Sequence, residues 1–348
     1  MNKIRYEEMT RLLEEKNFFK VICGAGNEKP EEVRRIAIIY TLAGTKGIDI
    51  SADLDIIKSC KEGIDYAFSF AKKHNIEIIT RPFITVSVGM PGDHHVRKAV
   101  IHKNICIDCK LCIPSCPTDA IPESLEVVSS SCIGCGYCEA VCPKPESISY
   151  KHNNKELESI LPKCIEEGAE SIELHAGVAD SDIILQEWKL ISKINYEGIN
   201  SMCLDRLHLS NSSLEKRVEM ARDVSSKNII IQADGYPMSG GQDDFNTTLQ
   251  AVATADVVNK KFNKKLNKLR KKYIYKKKQE VFILLSGGTN SHTSRLAKQS
   301  DVLFNGVSIG SFARQIVKSI LENDDFYNDE NIKNGYKIAK KLIDCNSH

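Results

Sequence analysis

C-I-D-C-K-L-C-I-P-S-C-P (residues 106–117) and C-I-G-C-G-Y-C-E-A-V-C-P (residues 132–143) decide how the rest of this 348-residue chain is read. Each cysteine of the first run, Cys106, Cys109, Cys112 and Cys116, recurs 26 residues later as Cys132, Cys135, Cys138 and Cys142. Both runs close in proline, Pro117 and Pro143, so the segment is an internal duplication. Three thiolates at two-residue intervals can wrap three irons of one cubane, while the cysteine before proline points away and reaches the neighbouring cluster. The spacing therefore assigns one [4Fe–4S] cluster to Cys106, Cys109, Cys112 and Cys142, and a second to Cys132, Cys135, Cys138 and Cys116. A zinc centre would instead use two C-x₂-C pairs, without a full four-cysteine run ending in proline on each side.

Working outward, short β-like pieces flank each half: VRKAVI and AI around the first run, LEVV and SISY around the second. Residues 100–149 thus resemble the two-cluster bacterial ferredoxins. The apolar Ile105, Ile107, Ile113 and Ile133 beside the ligands would limit solvent access and tune the reduction potential.

The remaining chain, residues 1–99 and 150–348, alternates apolar runs with helical patterns such as LESILPKCIEEGA and LEKRVEMARDV, as βα units do. Eight strands are predicted: 18–25, 47–52, 84–89, 171–176, 199–204, 228–233, 281–286 and 306–310. An α/β fold closed as a (β/α)₈ TIM-like barrel follows, with an open doubly wound sheet as the competing closure. The cysteine segment then forms an insert after the third strand, at the C-terminal face where barrel active sites lie.

Two glycine-rich turns follow the last strands, Gly287, Gly288, Thr289 and Asn290 after the seventh, and Gly310 and Ser311 after the eighth. Backbone N–H groups and helix N-termini can approach an anion there, so these six residues are the candidate site for a phosphate-bearing ligand such as a flavin. The competing reading is that the glycines only make tight turns. His175, Asp205, Arg206 and Asp234 are the other polar residues expected at the same rim. No nucleophile elbow, Walker loop or G-x-G-x-x-G after a strand is present.

Composition narrows the class further. Hydrophobic residues make up 42% and charged residues 27%, as in ordinary globular chains, and no apolar run is long enough for a membrane helix. The N-terminal MNKIRYEEMTRLLEEKN lacks an apolar signal core and carries four glutamates, which points to a cytoplasmic protein, or a stromal one if plastid-encoded. Of the 13 cysteines, Cys23, Cys60, Cys164, Cys203 and Cys345 lie outside the two runs and read mainly as buried apolar thiols. Residues 260–278 hold 11 of the 48 Lys and Arg and no acid, leaving an acidic remainder. Val258, Phe262, Leu266, Leu269 and Tyr273 recur at helical spacing through that run, so it reads as an amphipathic extension of the helix between strands six and seven. A solvated face is the plainer reading of its charge; nucleic acid is disfavoured because no binding motif accompanies it.

Five blocks, FKVICGAG (19–26), IYTLAGTKGIDISAD (39–53), RPFITVSVGMPGDHHVRKA (81–99), DGYPMSGGQDDFNTT (234–248) and LSGGTNSHT (285–293), together with the cysteine runs, resemble the light-dependent period A family of iron–sulfur proteins. The resemblance implies a protein that reports cellular redox state to the cyanobacterial clock input through protein partners. Two functions are therefore expected to compete. In the first, clusters sense redox state or transfer electrons and signal to a redox or signalling protein partner. In the second, an oxidoreductase passes cluster electrons to a phosphate-bearing ligand or flavin at the barrel mouth.

Overall fold

The computed structural model describes residues 1–24, 28–89, 97–116, 118–129, 131–132, 137–152, 154–177, 181–206, 209–235, 244–262 and 279–347. Eight parallel strands close a barrel: β1 (Phe18–Ile22), β2 (Gly47–Ser51), β3 (Phe83–Val88), β6 (Ser171–His175), β7 (Asn200–Leu204), β8 (Ile229–Asp234), β9 (Val281–Ser286) and β10 (Gly306–Ile309). Pairing of β1 with both β2 and β10 shuts the ring and rules out the open sheet. Every predicted strand is found, although β1 stops at Ile22, three residues short of its expected end.

Alternation along these strands separates two environments. Val21, Ile48, Ile50, Val86, Ile172, Leu174, Met202, Leu204, Ile231, Leu285, Val307 and Ile309 join the apolar layer that the surrounding helices cover. Each such side chain fully removed from water contributes about 1.5–3 kcal/mol. The outer ring includes α2 (Pro30–Ala43), α3 (Leu54–His74), α5 (Asn154–Glu167), α6 (Ser181–Ile194), α7 (Asn211–Val224), α8 (Asp244–Phe262), α9 (Thr293–Gln299), α10 (Ser311–Leu321) and α11 (Asp329–Asn346). Local signals set their ends. Pro30 sits in the first turn of α2, where its missing N–H costs nothing, and Gly44 closes that helix at φ 93°. Asp53 caps α3 by accepting from the backbone of Asp55 and Ile56. The α2–α3 crossing is tight at Gly63, where a Cβ would stand 2.4 Å from the Arg34 carbonyl oxygen.

The N-terminal segment, which carries no signal core, is a structural part of the barrel. Helix α1 (Lys3–Glu14) sets Met9, Leu12 and Leu13 against Phe18, Phe83, Ile199, Ile230 and Phe282, plugging the N-terminal end of the lumen. Arg5 pins the plug: its Nε lies 2.7 Å from Glu170 Oε1 and its guanidinium stacks 3.6 Å from the centre of the Phe83 ring.

Between β3 and β6 the chain leaves the barrel. Strands β4 (Arg97–Ile101) and β5 (Ile148–His152) pair antiparallel, Ile101 opposite Ile148, and hold the cysteine segment between them with the short α4 (Tyr137–Ala140). Of the basic run, only its start is described. Phe262 ends α8 under the Arg222 guanidinium, 5.1 Å away, and Lys261 pairs with Glu215 and Glu219 of α7. Leu266, Leu269 and Tyr273 lie outside the described residues. Among the described residues, no helix is long and apolar enough to cross a membrane.

Candidate functional site

The cysteine segment folds around its thiols and has little else to bury. Cys112, Cys132 and Cys138 are buried and Cys106, Cys116 and Cys142 half-buried in one small cluster with Ala99, Ile101, Ala120, Ile121, Leu125 and Ile148. Cys109 is exposed, and Cys135 lies outside the described residues. Asp108 and Lys110, on either side of Cys109, adopt φ of 55° and 58°. Such left-handed residues curl the chain tightly enough for thiols two residues apart to face one point.

Backbone donors address the sulfurs. The N–H groups of Ala99, Asp108 and Ala120 point at Cys132, Cys106 and Cys116 at 3.3, 3.4 and 3.2 Å. Burial raises the pKa of the Cys112 thiol against the effect of a backbone hydrogen bond, and the nearby Cys106, Cys109 and Cys142 raise it further. Cys142 of the second run thus packs in the same cluster as Cys112 of the first and acts on its thiol. Crowded thiols of this kind are unfavourable as four thiolates alone, and fit an iron–sulfur cluster whose irons take their charge.

A second polar site lies in the barrel lumen. Lys20 Nζ meets Asp49 Oδ2 at 2.5 Å and Glu173 Oε2 at 2.6 Å, reaching from β1 to β2 and across to β6. Gln232 of β8 donates to Glu173, Ser308 of β10 donates to Gln232 at 2.5 Å, and Ser87 of β3 donates to Asp49. Bonds between strands that are not neighbours can run only through the interior. Burial opposes the Lys20 charge, but the two carboxylates outweigh it and hold the ammonium above the usual lysine value. Asp49 is pushed up to about 6 by burial and by Glu173, against the pull of Lys20.

The apolar runs that mark the strands in the sequence do not announce these lumen residues. Parallel strands covered on both faces ordinarily read as continuous Val, Ile and Leu. The departures here, Lys20, Asp49, Ser87, Glu173, Gln232 and Ser308, fall at alternate positions, and that period of two was the available signal.

The expected rim residues divide. His175 and Asp234 belong to the strands and turn toward the mouth, Asp205 is half-buried just beyond β7, and Arg206 is exposed. Asp234 is pushed up to about 7 by burial, with Glu173 and Asp205 adding to it against hydrogen bonds from Cys203 and Ser286. Of the scattered cysteines, Cys23, Cys60 and Cys164 are buried as expected. Two are not simple apolar thiols: Cys345 is exposed near the end of α11, and Cys203 points into the polar lumen, its Sγ 2.6 Å from Asp234 Oδ2.

At the glycine turns, Gly287 and Gly288 have φ of 60° and 70°, conformations that suit glycine. Gly310 precedes the first turn of α10, with Ser311 at its start and Arg314 Nη1 bonded back to the Ile22 carbonyl at 3.0 Å. The side chains of Thr289 and Asn290 are spent internally. Thr289 donates to the Ser308 carbonyl at 2.5 Å, while Asn290 donates to Thr248 at 3.1 Å and accepts from the His292 N–H at 2.8 Å. Asn346 of α11 clamps the same turn by donating to the Asn290 carbonyl at 3.1 Å. Any anion there would be met by backbone N–H groups, Ser311 and Arg314.

Known proteins resemble both parts. The Light dependent period A C-terminal domain family matches residues 164–344, and the 4Fe-4S dicluster domain family matches residues 98–143. Light dependent period A from Synechococcus elongatus is 27% identical over 321 residues, covering 88% of this chain and 82% of its own. Pyruvate synthase subunit PorD from Thermotoga maritima is 39% identical over 57 residues, 15% of this chain and 58% of that protein. Among solved structures, the YdjI aldolase from Escherichia coli K12 aligns over 98% of this chain and 94% of its own, with a TM-score of 0.47 at 9% identity.

Proposed function

Because the chain belongs to the Light dependent period A family of iron–sulfur proteins, we propose that it senses redox state or transfers electrons with two [4Fe–4S] clusters and signals through a protein partner. Cys106, Cys109, Cys112 and Cys142 would hold one cluster, and Cys132, Cys135, Cys138 and Cys116 the other. The observation that carries this reading is that Cys142 of the second run packs in one cluster with Cys106, Cys112 and Cys116 of the first. When bound, each cluster supplies a one-electron couple. The chain's own part is to hold the ligands, exclude water with Ile101, Ile121 and Ile148, and direct the Ala99, Asp108 and Ala120 N–H groups at sulfur, which favours the reduced, more negative state.

A partner is supported by the surface of the same segment. Ile107, Leu111, Val128, Tyr137 and Val141 are large apolar side chains left 41–58% exposed beside the cysteines. Exposed apolar groups concentrated in one region mark interaction sites. The exposed Cys109 puts one ligand at that surface, where an electron could pass to a docked protein.

Anaerobic purification with iron and sulfide analysis, and EPR after reduction, tests the reading. About eight irons per chain and two interacting paramagnetic centres are expected. Zinc in their place, or about four irons, would remove the two-cluster assignment.

The oxidoreductase reading keeps one supporting observation, the left-handed Gly287–Gly288 turn beside the N-terminus of α10. It requires a ligand at the barrel mouth. Mass spectrometry of anything released on denaturation should then find a stoichiometric phosphate-bearing compound, and Gly288→Asp should abolish its retention.

A further inference from the structure

The barrel mouth holds a donor set that neither the clusters nor the glycine turns use. Glu173 and His175 of β6 face Ser201 and Cys203 of β7 in register, and Asp234 follows on β8. One ligand atom each from Glu173, His175 and Cys203 falls within 4.8 Å of the others. His175 Nε2 is 3.6 Å from Glu173 Oε1, and Cys203 Sγ is 2.6 Å from Asp234 Oδ2. Glu173, Cys203 and Asp234 are 1%, 3% and 2% exposed.

Two features of this cluster favour a bound cation. Asp234 Oδ1 is buried without a hydrogen-bond partner, as is the Ser201 hydroxyl below it. Charge is also out of balance. Lys20 is committed to Asp49 and Glu173 together, and among the described residues neither Asp234 nor Cys203 makes an ion pair. A buried carboxylate beside a thiol, without a cation, is costly.

We propose that Glu173, His175 and Cys203 form a binding site for a divalent metal ion of the zinc class, distinct from the cysteine insert, with Asp234 beside it on Cys203. The donors are one imidazole nitrogen, one sulfur and one carboxylate, a mixture suited to borderline transition metals and unsuited to calcium or magnesium. The surrounding bonds are those expected of groups that orient ligands. Lys20 and Gln232 fix both oxygens of Glu173, Ser308 fixes Gln232, and Glu173 Oε1 keeps a second lone pair on the His175 side. Metal binding would expel the Cys203 thiol proton to solvent; no electron moves. The competing way to quench the charge is a proton held between Asp234 and Cys203.

The test uses the full chain with its clusters in place, kept anaerobic, stripped of loosely bound metal with a mild chelator and then equilibrated with zinc. We expect about one zinc retained per chain, with an X-ray absorption shell of one sulfur at about 2.3 Å and nitrogen or oxygen at about 2.0–2.2 Å. His175→Gln and Cys203→Ser should each weaken zinc at least about 10-fold and leave the cluster EPR unchanged, while Cys345→Ser should change nothing. No zinc retained by the wild-type chain overturns the proposal and leaves the shared proton. A sulfur-only shell also overturns it, since the metal would then sit on the cluster cysteines. If either variant fails to fold, the shell of the wild-type protein decides.

Discussion

In the cysteine insert, the groups that meet are near one another in sequence; in the barrel lumen they are not. Cys106 to Cys142 fall within one short stretch, and local turns at Asp108 and Lys110 already aim the thiols. Lys20 meets Asp49 and Glu173 from 29 and 153 residues away, and Ser308 meets Gln232 from 76. The energetic supports differ accordingly. Among the described residues the insert has six small or aliphatic buried side chains beside its cysteines, a small core for a segment of this length, so metal–thiolate bonds are expected to supply much of its order. The lumen network stands on a closed ring of strands with a continuous apolar layer outside it.

Removing the cluster iron by anaerobic chelation should break the two regions apart. Hydrogen exchange is expected to lose protection across residues 97–152 and to keep it in β1, β7 and β8, since the metal bonds of such a site supply on the order of 10 kcal/mol of folding free energy. Protection that persists in β4 and β5 would show that the insert has a core of its own.

Lys20→Met should do the reverse, destabilising the barrel by about 3–5 kcal/mol in denaturant titration while leaving iron content unchanged, because Asp49 and Glu173 lose their shared buried cation. A loss below about 1 kcal/mol would mean that the lumen is hydrated enough to screen them.

Asp49 adds a pH dependence to the same comparison. Its folded pKa of about 6 lies above the ordinary 3.8, so the native state holds the proton more tightly than the unfolded chain does. The stability it confers is complete below about pH 4 and is lost as pH rises through about 6, by roughly 3 kcal/mol in all. Asp49→Asn should flatten that part of the stability profile, and an unchanged slope would assign it elsewhere.

The smallest effect expected is at the barrel base. Arg5→Ala removes the Glu170 pair and the stacking on Phe83, both partly buried, and should cost about 1–2 kcal/mol by thermal unfolding without altering cluster content.

How much was legible follows from the same contrast. The cysteine motifs could be read because ligand spacing is a local property, and the strands because apolar runs are local too. Helix α1 as a plug was not legible, since MTRLLEEKN shows an ordinary amphipathic pattern and nothing in it names the five strand ends it covers. Thr289 and Asn290 looked like ligand contacts from their place after a strand. Their hydrogen bonds to Ser308, Thr248 and Asn346 form only when β10, α8 and α11 are packed around them.

By itself the sequence determined the duplicated cysteine pattern, the eight strands with their intervening helices, and the family, because each depends on residue types at short spacings. Only the tertiary structure decided that the ring closes, that Cys142 reaches Cys112, and that Lys20, Asp49, Glu173, His175, Cys203 and Asp234 share one lumen. The physical reason is range. A turn or a ligand run is stabilised by neighbours along the chain, whereas a buried charge network exists only once closure of the barrel has excluded water and brought distant strands within hydrogen-bonding distance.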